Sequence, residues 1–587
     1  MSDSKKKIFL TMAALISASA VSFTLQLRTS NILTAILAVL FAYVFHRQWD
    51  ISTSVSDRKR ILVASTVIAI LLSCFMSMYL LEYQDDFYEL TGIGKLGMLL
   101  CVAVGYFFAF SVLLKCLYCK IAEVTLINEQ SYQKAPRIIF IATAVLIFLC
   151  WLPFYLKNFP AVIISDSMDQ LGQVVSGIYS NHHPVVQTWI LQFFITIGLK
   201  STGQIQTGIA AFCIAQMLVL AMIYSYVITM CYLHRVKKWI CIGLLCFYAI
   251  MPYNVMYAIN IWKDSLFSGA LLLFIVLLWS MFENRKQTTF EMISKDILLI
   301  VSGSVVALFR NNGFYAFLVV VPFVGVLCWK KSKHSIVAIA VVLILTIVIR
   351  GPVFTHFNVA SPDLIESLSI PAQQIARVIA NGGELEAEDR ILLEQVVDIS
   401  RIADTYDEIV SDPIKNLVRE KGNQEYLETH KSEYLKLWLT MGKRYPMHYI
   451  RAFLHQTEGY WYPDVQRWVY AEGVCENSGG IITESKLPKT ISNLLGRGFL
   501  WQGYTKIPIY GLFWSIGAAV WMTFIAAGLC FVKNRKKELL LFLPMLALWG
   551  TLLLATPVSG EFRYLYSIFI CLPFYLLMSD LNNCSKS

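Results

Sequence analysis

Fourteen nearly unbroken apolar runs divide this chain, at about 8–27, 29–45, 61–81, 94–117, 137–157, 205–233, 238–258, 264–283, 296–309, 313–329, 335–351, 508–532, 538–556 and 562–579. Most approach the twenty or so residues that a helix needs to cross a hydrocarbon core of roughly 30 Å. Lipid offers no partner to an open backbone, so the fold class is an all-α polytopic membrane protein, a bundle of about 14 transmembrane helices. A composition 57% hydrophobic and only 15% charged agrees with it. The first run follows Lys5, Lys6 and Lys7 and contains Ala18-Ser19-Ala20, which resembles a cleaved signal. The triplet lies inside the run and more spans follow closely, so the run reads as an uncleaved helix.

The net charge of +10 is unevenly spread. Residues 352–507 hold 21 Asp/Glu against 16 Lys/Arg, a segment charge of −5, which leaves +15 for the rest. Those basic residues cluster at span ends, where they set topology rather than bind nucleic acid. Lys5–Lys7, Arg58–Arg60 and Lys115 to Arg137 fall on one side, and the acidic loop 82–93 on the other. Basic loops stay in the cytoplasm, so the fifth span emerges outside near Lys157. The short apolar piece 185–200 then decides parity. If it crossed, His234 to Lys238 would lie outside; if it stays at the interface or re-enters, every later basic loop is cytoplasmic. The second choice gives both termini inside and four regions. These are a four-helix membrane region at 1–136, a membrane core at 137–351 with outer loop 158–184, an extracytoplasmic helical domain at 352–507, and a three-helix region at 508–587. Of 14 cysteines only Cys475 lies in 352–507, so no disulfide forms within it. The lone CxxC, Cys116 and Cys119, lacks the second pair of a zinc site.

This orientation gathers polar residues on the outer face. Asp166 to Ile178 reads as a surface helix, with Asp166, Asp169, Gln170 and Gln173 on one side and Met168, Leu171, Val175 and Ile178 on the other. Asp166 suits either a helix cap or a catalytic base, and Asp169 has the simpler reading of an acid favoured by the helix dipole. His182 and His183 precede Pro184, which opens the next segment. Two adjacent histidines cannot both face one ion from a regular element, so hydrogen bonding to a phosphate, or a plain polar turn, is expected of them. Trp262-Lys263-Asp264 begins a span. Arg310, with Asn311, Asn312 and Gly313 behind it, ends another, and Arg563-Tyr564 follows Pro557. Guanidinium groups suit phosphate oxygens, although each arginine alone could snorkel to the interface.

The outer segment reads as mostly helical, with Ser367 to Ala380 an amphipathic stretch. Near its end Tyr460, Trp461 and Tyr462 stand together. Such rings either stack on a sugar or anchor the segment, and the anchor is the simpler reading. The chain shows no GxxxxGK[ST], GxGxxG or GxSxG signature.

An acidic residue in the first large outer loop, a following His-Pro, an Asp at the outer start of a later span and a late Arg-Tyr together resemble the GT-C membrane glycosyltransferases. The resemblance is to the protein O-mannosyltransferase and lipid A aminoarabinose transferase types. The stretches DSMDQ…NHHPVVQT, WKDSLF, LFRNNGFY, SIPAQQIAR and GYWYP look like a bacterial branch of that superfamily, over roughly residues 137 to 579. The resemblance implies a polyprenyl-phosphate-linked sugar as donor and an envelope glycan, lipid or protein as acceptor. It assigns the base to Asp166 and the neighbourhood of the donor phosphate to His183, Lys263, Arg310 and Arg563. The chain departs from relatives with two prolines after the His or Lys, since Val185 follows Pro184, and Ser167 stands where some carry a second acid. A divalent metal is used in some branches and not in others, so the cofactor stays open. Two other classes compete: a transporter or flippase of lipid-linked saccharide, and a non-catalytic scaffold for envelope assembly. A transporter predicts charges at mid-bilayer and symmetry between halves, and neither is visible.

Overall fold

The computed structural model describes residues 3–27, 30–48, 55–83, 92–128, 136–282, 288–328, 333–465, 471–496, 507 and 509–581. Asp85, Asp86 and Glu89 of the acidic loop, and Arg285, Lys286, Lys330 and Lys331 of the basic ones, lie outside these residues. Among the described residues the chain is helical, with only isolated β-bridges between loops.

Five helices, α1 (Asp3–Thr24), α2 (Ile32–Gln48), α3 (Val55–Tyr83), α4 (Gly92–Glu123) and α5 (Pro136–Lys157), precede the short α6 (Ser165–Ser176). There follow α7 (Val185–Thr202), α8 (Ile205–Leu233), α9 (Lys238–Ile250), α10 (Pro252–Ile259), α11 (Lys263–Ser280), α12 (Thr289–Leu308), α13 (Asn311–Cys328) and α14 (Lys333–Val348). The last three long helices are Ile516–Val532, Leu543–Ala555 and Tyr566–Leu581. The chain is a multi-pass membrane protein. The expected fourteen full spans are not reached: among the described residues nine helices are long and apolar enough to cross, ten if α9 and α10 count as one bent span. Ile32–Arg47, Asn311–Val326 and Ile516–Val532 are apolar but shorter. The run at 296–309 falls on α12, whose first half carries Glu291, Lys295 and Asp296.

The 51° bend between α9 and α10 sits at Pro252. A proline pushes the residue before it out of the helical region, and Met251 is accordingly extended, with ψ 124°. Asn254 Nδ2 donates to the Phe247 carbonyl at 2.9 Å, beside the Met251 N–H at 3.2 Å, and so clasps the two helices across the bend.

Helix α7 folds back along the first half of α8. Phe194 meets Phe212, and Gly198 lies against the backbone of Gly208. Farther along, α8 reaches Asn260 through Gln216 and Phe140 through Ser225. Helix α8 alone therefore returns the chain to the level where α5 begins, and α7 stays on the side where α5 ends.

Four packing units follow, the smallest joining α1, α2 and α4 around Leu10, Phe45 and Val112. The main core joins α5, α8–α13 and the last three helices; a second joins α3 and α4 to Trp461, Tyr462 and Trp521. The third belongs to the 352–507 segment and draws its buried residues only from Ile365 to Tyr449. That self-contained module is narrower than 352–507, because from Leu454 onward the segment packs on membrane helices. The 508–587 region likewise merges with the main core rather than standing apart.

A side chain at Gly208 would meet Ile195 and the Phe194 carbonyl, which cannot retreat because they are backbone. Overpacking of this kind costs about 1–3 kcal/mol. Gly208→Val is expected to lower the melting temperature of the purified protein, whereas Gly243→Val, with open space around it, leaves it unchanged.

Candidate functional site

Three extended segments hold the site in register. Val162 N donates to the Ile259 carbonyl at 2.9 Å and Ile261 N to the Val162 carbonyl at 3.2 Å. On the other flank Ile163 N donates to Gly473 O and Cys475 N to Ile163 O, both at 2.9 Å. Ala161, Val162 and Ile163 are fully buried between them. Buried backbone groups must be paired, so this lattice fixes where α6 and α11 begin. It delivers Asp166 and Lys263 to the same spot.

There the carboxylate of Asp166 gathers its partners. Its Oδ2 accepts from Lys263 Nζ at 3.1 Å and from Arg563 Nη1 at 2.7 Å. Lys263 also donates to His183 Nδ1 at 3.0 Å. An ammonium has only donors, so Nδ1 is unprotonated and the ring proton sits on Nε2, which faces Asp169 Oδ2 at 3.3 Å. Asp169, His183, Lys263 and Asp166 thus form one chain of contacts, closed by Arg563. The cap reading of Asp166 is corrected: Ile164 holds the cap position of α6, with no side-chain cap bond. The helix also ends earlier than expected, at Ser176, with Gly177 in the left-handed conformation. Gln170 does not face a cleft; it is buried and donates to Gln187 and Thr188 of α7. His182 is exposed beside His183, 4.7 Å ring to ring.

The second arginine acts differently. Arg310 donates to the wholly buried Asp264 at 2.5 Å and to the carbonyls of Arg563 and Tyr564 at 3.4 Å. Its guanidinium lies 4.8 Å from the Tyr564 ring, and that of Arg563 lies 5.2 Å from the same ring. Arg310 and Asp264 therefore position Arg563 from behind. Asn311 points elsewhere, accepting from Arg350 at 3.3 Å.

The three aromatic rings are packing elements with no open face. Tyr460, Trp461 and Tyr462 are 0%, 1% and 8% exposed. Trp549 and Trp521 of the membrane helices donate to the carbonyls of Tyr460 and Trp461, and Tyr462 stacks on Tyr79 at 3.6 Å. This is the anchor, and it excludes sugar stacking in this arrangement. The Tyr460 hydroxyl also donates to Val558 O at 2.9 Å and accepts from Glu561 N at 3.2 Å. It thereby holds the loop that carries Arg563.

Glu561 is a member of the site that the sequence pattern did not single out. Its Oε1 lies 3.4 Å from Arg563 Nε. A signal for it exists, since it is a carboxylate two residues before a named arginine at a span end. Among the described residues no group of three or more His, Cys, Asp or Glu is placed to share a metal ion. The positive charge facing Asp166 comes from Lys263 and Arg563.

Burial alone would raise the Asp166 carboxyl, but Lys263, Arg563 and His183 outweigh it and hold it well below the usual carboxylate range. Burial, then the neighbouring Asp166, pushes Asp169 up. Burial also raises Glu561, against the pull of Arg563. Burial and then Lys263 bring His183 from 6.5 down to about 3, so the ring is neutral, as its two contacts require. Between these values the unfolded chain takes up a proton that the folded one refuses. This contribution is complete above 6.5 and is lost as pH falls towards 3. His183→Gln is therefore expected to flatten the fall of stability with acidity by up to about 1.4 kcal/mol per pH unit. Melting temperatures of the two proteins across that range test it, and parallel curves would refute it.

No curated protein and no solved structure matches the chain. One family pattern does, described as a family of unknown function (DUF6020), over residues 175–586. That range takes in α7 to the end of the last helix and holds every site residue named above except Asp166, Asp169 and Gln170. The chain belongs to this family, DUF6020.

Proposed function

We propose that the protein is a membrane glycosyltransferase that moves a sugar from a polyprenyl-phosphate donor to an envelope acceptor at the extracytoplasmic face of the cell membrane. The observation that carries this reading is the convergence of two cations from distant helices on one carboxylate in the first turn of α6. Lys263 and Arg563 meet on Asp166, and Arg563 also faces Glu561, whose carboxyl burial raises, so an arriving phosphate finds two cations already gathered at one place. Charge-assisted bonds to phosphate oxygens are strong, and a guanidinium makes them in a fixed fork.

The same geometry gives Asp166 two states. While it holds both cations it is deprotonated and a weak base. When the donor phosphate draws Lys263 and Arg563 towards itself, the carboxylate loses the charges that depress it and gains basicity. It then takes the proton of the acceptor hydroxyl. The hydroxyl oxygen bonds to the anomeric carbon, and the bond from that carbon to the phosphate oxygen breaks. The departing polyprenyl phosphate keeps the electron pair, and Lys263 and Arg563 stabilise its charge. His183, neutral and held by Asp169, steers the Lys263 ammonium.

Purified protein in lipid nanodiscs, given labelled polyprenyl-phosphate sugars and membrane acceptors, tests the reading. Asp166→Asn is expected to reduce transfer by about 10²–10⁴-fold, the usual worth of a positioned base. Transfer that survives this substitution would remove the base assignment, and a wild-type protein that consumes no donor would remove the function. Orientation is tested separately. A cysteine at the exposed Ser176 is expected to react with an impermeant reagent added outside the cell, and labelling from the cytoplasmic side alone would reverse the topology.

A further inference from the structure

The outer module contains a cavity of about 350 Å³ whose lining is almost wholly apolar. Ile365, Ile375, Ala376, Val396 and Val418 contribute to its walls, and Lys431 is its one charged lining residue. Protein interiors are packed as densely as organic crystals, so an apolar space of this size is unusual within a single small core. A dry cavity of about 150 Å³ already accepts benzene, which makes this one large enough for a chain on the order of a dozen carbons.

The mouth shows what kind of chain. Lys431, Leu435 and Leu439 stand four residues apart along the helix Lys431–Arg444 and so share one face. Lys431 is exposed and makes no ion pair among the described residues; Leu435 and Leu439 are 56% and 49% exposed. A cation beside bare leucines is the pattern of a surface that meets an anionic lipid headgroup. The amphipathic helix Ser369–Ala380 supplies part of the apolar wall, which gives its sequence pattern a purpose beyond lying on the membrane.

We propose that this cavity binds one fatty-acyl chain of an anionic membrane lipid, with Lys431 meeting the headgroup. The proposal does not depend on the transfer chemistry. It does connect to the site, because the cavity wall begins at Leu364, just after a backbone link to the outer loop. There Ala360 N donates to Tyr179 O at 2.9 Å and Asn181 N to Ala360 O at 2.8 Å, two residues before His183. A lipid seated in the module therefore bears on the loop that holds His183.

The test uses the full chain in nanodiscs of zwitterionic lipid and a photoreactive fatty acid of about twelve carbons, the length that the volume suggests. Saturable crosslinking to residues 364–376 and 414–438, competed by the unlabelled fatty acid, is expected. Ala372→Trp, which fills the cavity, is expected to reduce it by at least about tenfold, because several methylenes lose their burial. Lys431→Glu, at an exposed position, is expected to weaken crosslinking of the fatty acid but not of the corresponding alcohol. Crosslinks confined to the membrane helices, or labelling that never saturates, would overturn the proposal. So would full labelling of a folded Ala372→Trp protein. Should Ala372→Trp melt early, the Lys431→Glu comparison decides: equal loss for acid and alcohol, or no loss for either, overturns the assigned headgroup and with it the proposal.

Discussion

A single oxygen, Oδ2 of Asp166, accepts from a lysine at the start of α11 and from an arginine at the start of the last helix. Removing three charges from water is costly, and the cost is offset only if their mutual geometry is good. Here the backbone supplies that geometry. The lattice of 162–163 with 259–261 and 473–475 sets two of the partners, and the Tyr460 hydroxyl sets the loop of the third. Arg310 and Asp264 then support Arg563 from the buried side. The surrounding helices act as a frame that keeps these charges opposite one another.

Two of the features grouped by sequence serve in that frame rather than at its mouth. The sequence pattern places Arg310 beside a phosphate, yet its contacts run to Asp264 and to two carbonyls. The Tyr460–Tyr462 rings suit either a sugar or an anchor, and their burial makes them the anchor. In both cases the residue type is right for either role. Only the direction of the side chain separates the two, and direction depends on partners far away in sequence.

This explains which parts were legible. Helix positions follow from the length of apolar runs, a local property, and each of the fourteen runs falls on a helix or on the bent α9–α10 pair. Run length by itself ignores charges inside a helix, such as Lys295 and Asp296 in α12, and among the described residues nine or ten helices pass as spans. The grouping of Asp166, His183, Lys263 and Arg563 was legible from charge parity, since residues on one face can meet. The 162–163 lattice was not, because nothing local marks a backbone segment as a clasp. The module core from Ile365 to Tyr449 was visible only as a helical, acidic stretch.

The ion pair between Asp166 and Arg563 spans 397 positions of sequence. During synthesis the first carboxylate and lysine must therefore wait, inside a partly inserted bundle, until the final helix has entered the membrane. For that interval Asp166 has one cation instead of two and stands less tightly closed. The charge cluster is complete only once Arg563 has joined it. A ribosome that stalls before that point leaves behind a protein with nearly all its helices and no complete charge cluster. Closure of the cluster thus depends on a contact between segments that are made far apart in time.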